Sequence, residues 1–281
     1  MLKRKKKDKG ILCIGDVHAG FKKVNSEGRQ VWGIYNIKKE FEYLNKIMKH
    51  FCEEHVSIDE LHVFLLGDIV HGASNYRTQL WEAEMAPTIA TEKITDILTN
   101  FFLQLKKDIK IPIIVTCQTG NHGRKRREQA IPTYLENEDL TVYLNLKERL
   151  KGKVKVNIPK WYWTVVQVDK KRFLITHGDA INMYSRIPWY GLREFIQSNK
   201  LILKKSNRNF EAVIIGHFHN MFNWDMKGIE VFCNGTLQPQ NRFTWRIGLT
   251  PSKAFWFIGV KGKRIAWRYQ IDFSRKRRFK K

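Results

Sequence analysis

Residues 11–20 read Ile-Leu-Cys-Ile-Gly-Asp-Val-His-Ala-Gly: four apolar residues, a glycine, then Asp16 and His18 two positions apart. A short apolar run bounded by glycine fits a strand buried on both faces. The pattern returns four times. LHVFLL (61–66) runs into Gly67-Asp68 and IIVTC (113–117) into Gly120-Asn121-His122-Gly123. RFLIT (172–176) runs into His177-Gly178-Asp179, and AVII (212–215) into Gly216-His217-Phe218-His219. Each run ends on carboxylate, amide or imidazole side chains. From Asp16 through Asp68, Asn121 and His177 to His217 the gaps are 52, 53, 56 and 40 residues, the first three each about one supersecondary crossover. Strands connected in this way bring distant residues to one sheet edge, where open α/β folds place their ligands.

The intervening segments supply helices. Tyr35–His55 places Phe41, Leu44, Ile47, Met48 and Phe51 on one helical face. Thr78 to about Asp108 also reads as helix, interrupted near Pro87. This βαβαβ order favours parallel strands with helices packed on them. In the second half, helices are expected over 135–152 and Trp189–Lys205, with strands over Trp161–Asp169 and Arg172–Thr176 around a turn at Asp169–Lys171. Short strands follow over Ala212–Ile215, Phe222–Met226 and Glu230–Cys233, the last two joined at Lys227–Gly228. Ala254–Val260 and Ile265–Ile271 read as a hairpin through Lys261–Gly262. The expected fold class is α/β: a two-sheet β-sandwich flanked by helices, in one domain over 11–273 between basic tails at 1–10 and 274–281.

A chain of 281 residues can bury a substantial core. No apolar run reaches the roughly 18 residues of a membrane span, so no membrane partner is expected. The N-terminus passes from a basic start straight into the first apolar run, unlike a secretory signal. Cys13, Cys52, Cys117 and Cys233 form no CxxC pair, and buried free thiols fit an intracellular, reducing compartment. The balance of 51 basic and 27 acidic residues gives +24. Residues 3–9 and 275–281 carry +11 of that, leaving +13 on the body. Such an excess favours a polyanion, with nucleic acid the expected partner and DNA the favoured form. Solvated tails that only aid solubility are the plainer reading of the ends.

The motif residues are those that divalent ions take as ligands. Asp16 and His18 can point the same way and chelate one ion, although an aspartate after a strand also serves simply to start a turn. Asp68 leaves a buried strand, where an unpaired carboxylate is costly. Bridging two cations would remove that cost. Asn121 offers an amide oxygen. His122 can face a substrate, either protonating a leaving alkoxide or stabilising charge on phosphoryl oxygens. His177, His217 and His219 offer neutral imidazoles.

In this order, Asp16, His18, Asp68, Asn121, His122, His177, His217 and His219 resemble the signature of the calcineurin-like metallophosphoesterases, over about residues 11–260. The resemblance implies one metal on Asp16, His18, Asp68 and His219, and a second on Asp68, Asn121, His177 and His217. It implies His122 as the catalytic histidine and two divalent ions, Mn²⁺ first, with Fe, Zn, Ni or Mg as other occupants. It implies hydrolysis of a phosphate ester by a metal-bridging hydroxide. Two positions depart from the family pattern: Gly123 replaces the usual acid after the Asn-His pair, and His71 replaces a frequent aspartate. NGTL (234–237) and PSKAFWFIGV (251–260) are most similar to the nuclease-like branch, which includes repair nucleases and phage-encoded relatives. Related nucleases often dimerise, so a homo-dimer is one expected state.

The same chemistry serves monoesters and diesters, so the surroundings must choose. Arg124, Lys125, Arg126 and Arg127 follow His122 and are candidate phosphate contacts, Arg124 first for its planar fork. Trp189 and Tyr190 are candidate exposed stacking groups, whereas Trp161 and Trp163 read as core. A nuclease or nucleic-acid phosphodiesterase leads. A protein or nucleotide phosphatase is the alternative. A binding subunit with a vestigial site has no need of eight intact residues.

Overall fold

The computed structural model describes residues 7–125, 135–184, 187–246 and 248–276, without the side chains of residues 242 and 243. In chain order the elements are β1 (Asp8–Ile14), β2 (Lys23–Val24), β3 (Gln30–Trp32), α1 (Ile34–His50), β4 (Ile58–Leu65), α2 (Gln79–Glu82), α3 (Pro87–Ile109), β5 (Ile113–Cys117), α4 (Glu138–Arg149) and β6 (Lys155–Asn157). They continue with β7 (Trp163–Val168), β8 (Lys171–Thr176), α5 (Trp189–Lys205), β9 (Ala212–Ile215), β10 (Phe222–Asp225), β11 (Glu230–Cys233), α6 (Arg242–Arg246), β12 (Ala254–Lys261) and β13 (Arg264–Asp272). A π-helical turn over Phe51–His55 extends α1.

Two sheets carry the architecture. The first runs β13-β12-β1-β4-β5-β6, with β1, β4, β5 and β6 parallel and β12 and β13 added antiparallel. The second runs β10-β11-β9-β8-β7, with a parallel centre of β11, β9 and β8. The period-2 alternation of strands explains how they stack. Ile11 and Cys13 of β1 and Phe64 of β4 face Phe173, Ile175, Ile214 and Phe232 of the second sheet. Leu12 and Ile14 face the other way, onto the buried stripes of α1, α3 and α4. The outer face of the second sheet (Leu174, Val213, Ile215 and Val231) is covered by Leu192, Ile196 and Leu203 of α5. The result is helix, sheet, sheet, helix, the sandwich expected from the pattern of apolar runs.

Local chemistry sets the boundaries. Pro87, with no N–H to donate, opens α3 and separates it from α2. Lys110 closes α3 in a left-handed conformation. Lys227 and Gly228, both at positive φ, join β10 to β11 as a tight hairpin requires. Asn137 caps α4 by accepting the Asp139 N–H, so the helix begins at Glu138 rather than 135. The β2–β3 hairpin, β6 and α6 were not expected; each is too short for periodicity to register. Trp161 precedes β7 and is 52% exposed, and so it is not the core residue its strand-like setting implied. The four cysteines are free. Among the described residues, no helix is long and apolar enough to cross a membrane.

The strand ends are in register where it matters. Ile14 lies opposite Leu65, and Leu65 opposite Cys117. In the second sheet Ile215 lies opposite Cys233. All five motifs therefore leave their strands at one edge of the sandwich.

Candidate metal centre

Past the strand ends the backbone keeps pairing while it turns. The Asp16 N–H donates to the Gly67 carbonyl (3.0 Å), His18 to Asp68 (2.9 Å), Ala19 to Ile69 (2.8 Å) and His71 to Ala19 (2.9 Å). Among the described residues nine non-glycine residues have positive φ, and five of these are Asp16, His18, Asp68, His217 and His219. The left-handed region costs such residues on the order of 1–3 kcal/mol each and persists where the surroundings enforce it. This concentration marks the loops as shaped for something other than stability. Close backbone approach is part of that shaping: a Cβ on Gly120 would stand 2.1 Å from Asp68 Oδ1.

Among the described residues three groups of possible metal ligands gather here, Asp16-His18-His219, Asp68-His177-His217 and, sharing His18, His18-His71-His122; the first two carry carboxylates. In the first, His219 Nε2 lies 3.1 Å from His18 Nε2 and 3.3 Å from Asp16 Oδ1. In the second, His177 Nε2 lies 3.2 Å from Asp68 Oδ2 and 2.9 Å from Asn121 Oδ1. His217 joins this second group, and the donor atoms within Asp16-His18-His219 and within Asp68-His177-His217 lie within 4.8 Å of one another. Asp16, His18, Asp68, Asn121 and His177 are all buried. Asp16 also accepts the His217 N–H (3.0 Å), tying the first sheet's loop to the second's. Its own carbonyl accepts from Thr236 Oγ1 (2.6 Å) and the Leu237 N–H (3.1 Å) of the NGTL segment.

The protonation pattern suits cation binding. Burial alone would lower His177, but the Asp68 carboxylate and its hydrogen bond outweigh that and raise it to about 10. Burial, then the positive His177, lowers His217 to about 4. Burial, then His122 and His219, holds His18 well below the usual histidine range. His177 Nδ1 is anchored on the Leu66 carbonyl (2.7 Å), which leaves Nε2 for the centre. His18 and His217 thus offer the neutral imidazoles a divalent cation requires, whereas His177 must give up a proton to bind one. Both groups offer donors that could hold a divalent cation. Asp68 Oδ1 accepts the His122 N–H (2.7 Å) while Oδ2 faces His177.

His71 is buried. Its Nδ1 lies 3.5 Å from His18 Nδ1, and its Nε2 has no hydrogen-bond partner among the described residues. Gly123 is explained by α4: a Cβ there would fall 2.5 Å from Asn137 Oδ1, the capping atom. Behind the loops Asp139 accepts the Val70 N–H (3.0 Å) and the Gly120 N–H (2.9 Å), joining the second and third motifs. Burial, with Asp68 nearby, pushes Asp139 up to about 7 against the pull of those two donors. Gln79 lies 3.0 Å from His122 Nδ1 through its Nε2. Neither Asp139 nor Gln79 stood out in the sequence, because one looks like an ordinary first-turn acid and the other like a surface amide.

The basic run is only partly in view. Arg124 forms an ion pair with Asp179 of the fourth motif. Lys125 lies 3.7 Å from Glu138. Arg126 and Arg127 lie outside the described residues. Tyr190 is 62% exposed and Trp245 74%. Tyr76, also exposed, tilts over the His122 ring at 4.9 Å between centroids.

No curated protein is significantly similar to the chain in sequence. Among solved structures, the chain is similar to an archaeal phosphodiesterase, at 15% identity over 93% of this chain and 99% of that one, with a TM-score of 0.42. It is also similar to the zinc complex of Vps29 from Entamoeba histolytica, at 12% identity over 94% and 99%, with a TM-score of 0.44. The family model for calcineurin-like phosphoesterases matches residues 10–237, a stretch that contains every motif and both side-chain groups. The chain belongs to the calcineurin-like phosphoesterase family.

Proposed function

We propose that this chain is a two-metal phosphodiesterase that hydrolyses nucleic acid, DNA being the favoured substrate. The observation that carries the reading is the pair of His/Asp groups gathered at one sheet edge, with the His122 N–H on Asp68, in a chain of net charge +24. One ion would be held by Asp16, His18, Asp68 and His219, the other by Asp68, Asn121, His177 and His217. The mixed oxygen and imidazole donors suit Mn²⁺, Fe or Zn, and Mn²⁺ is our choice. Such ions, when bound, neutralise phosphate charge and make water a better nucleophile near neutral pH.

The chain's own residues do the remainder. His122 faces the ester and steadies charge on its phosphoryl oxygens. Arg124, held by Asp179, keeps a cation beside the third motif without leaving it free to wander. Lys125, Arg126 and Arg127, next in sequence, add positive charge for contact with phosphates. Tyr76 offers an exposed ring next to His122 on which a base can stack. The excess of +13 outside the tails attracts the polyanion from a distance.

The test is turnover with Mn²⁺ on DNA, RNA, a bis-ester model compound and a monoester, side by side. Cleavage of DNA and the bis-ester, with the monoester at least about tenfold slower in kcat/KM, is expected. Hydrolysis of the monoester alone would replace this reading with a phosphatase.

A further inference from the structure

The acid that commonly follows the Asn-His pair is absent, yet His122 does not lack a partner. Gln79 is buried, and its Nε2 lies 3.0 Å from His122 Nδ1 while donating to the His71 carbonyl at 2.6 Å. Its Oε1 accepts two backbone N–H groups, from Asn75 (2.8 Å) and Tyr76 (3.0 Å). Those donors fix which way the amide points. Turned over, it would set an NH₂ against two N–H groups and leave the His71 carbonyl without its donor, at a cost of about 1–3 kcal/mol for each buried group left unpaired. The group facing Nδ1 is therefore an NH₂, whose second hydrogen lies between Nδ1 (3.0 Å) and the His122 carbonyl (3.3 Å), so Nδ1 stands opposite a donor and is the acceptor. In the neutral ring the proton then sits on Nε2.

We propose that Gln79 is the positioning residue for His122, holding its ring in the Nε2–H tautomer so that it presents a fixed hydrogen-bond donor to a phosphoryl oxygen of the bound ester. The proposal rests on the phosphoesterase reading above. It selects one of the two roles open to His122: an Nε2–H held this way stabilises charge on the phosphoryl group by hydrogen bonding, and the ring proton stays where it is. An acidic partner would instead accept from Nδ1–H, which an amide N–H cannot do.

Neighbouring residues serve the same end. Asn75 Nδ2 donates to the carbonyls of Asn121 (3.1 Å), His122 (3.1 Å) and Arg124 (2.6 Å), gripping the third motif's backbone. Tyr76 Oη accepts from Asn121 Nδ2 (2.7 Å), which turns Asn121 Oδ1 toward His177. Residues 75–79 are thus a brace for the Asn121-His122 pair, contributed by the segment after the second motif.

The test is made on the full chain, metal-free, with ¹⁵N-labelled histidine. His122 is assigned by the signals lost in His122→Ala, and its tautomer is read from long-range ¹H–¹⁵N correlations. The wild type should show a protonated Nε2 and a bare Nδ1. Gln79→Glu keeps an acceptor for the Asn75 and Tyr76 N–H groups but offers Nδ1 a carboxylate, and should move a proton onto Nδ1. Gln79→Met removes the bond and should leave a mixture of tautomers. With Mn²⁺, both variants should lose about 10- to 100-fold in kcat while KM and metal affinity change by less than about twofold. An Nδ1–H ring in the wild type, an unchanged tautomer in Gln79→Glu, or kcat preserved in both variants would overturn the proposal. If the wild type shows Nε2–H but hydrolyses no ester, the phosphoesterase reading falls and the Gln79 assignment of the tautomer stands.

Discussion

At the scale of single residues, the site is organised by what each side chain would suffer without its neighbours. Asp68 is buried to 1% exposure, and burial opposes its charge; His177, by its charge and its hydrogen bond, is foremost in keeping it ionised. The reciprocal effect holds His177 protonated up to about 10. That proton sits on the nitrogen that would ligate, so it must leave when a cation arrives. Binding should therefore release at least one proton per chain. Below pH 10 the affinity should rise about tenfold per pH unit from this group alone, because the protonated form that competes with the cation becomes scarcer as pH increases. Calorimetry of Mn²⁺ binding in buffers of different ionisation heat checks this, and binding without proton release would contradict it. His18 and His217, already neutral by burial, add no such demand.

At the scale of elements, strand ends aim the ligands and helix caps lock the loops. The motif residues were legible because each follows an apolar run by one to five positions, and such short apolar runs have few ways to be buried. The braces were not legible. Gln79 reaches His122 across 43 residues and Asp139 reaches Val70 across 69, through contacts that no local pattern announces. The departure at Gly123 has an element-scale cause, since the N-cap of α4 occupies the space a side chain would need. Restoring an acid with Gly123→Asp should accordingly destabilise the protein by about 1–3 kcal/mol through overpacking. Asn137→Ala, which loses the cap, should cost about 1 kcal/mol. The double variant should cost less than the two single costs combined, because the clash vanishes with the side chain. Chemical denaturation of the three variants measures this, and strict additivity would count against the explanation.

At the scale of the whole molecule, the sandwich brings loops from two sheets to one edge, and the proposed ligand set is complete only when both are present. Asp16, His18, Asp68 and Asn121 come from the first sheet; His177, His217 and His219 come from the second. The two-sheet sandwich was readable from apolar runs such as β1, buried on both faces; that Ile11 and Cys13 face one layer and Leu12 and Ile14 the other is seen only in the structure. The short β2, β3, β6 and α6 were not, because they lack the length for any period to show. Net charge was readable as a number, but its distribution depends on residues such as Arg124, whose partner Asp179 lies 55 positions away. The central claim is that these loops hold two cations sharing Asp68. Equilibrium dialysis against Mn²⁺ with metal analysis tests it most directly. Two ions per chain are expected for the wild type, one for His219→Ala or His217→Ala, and none held tightly by Asp68→Ala. A single ion in the wild type, or two retained by Asp68→Ala, would contradict the account.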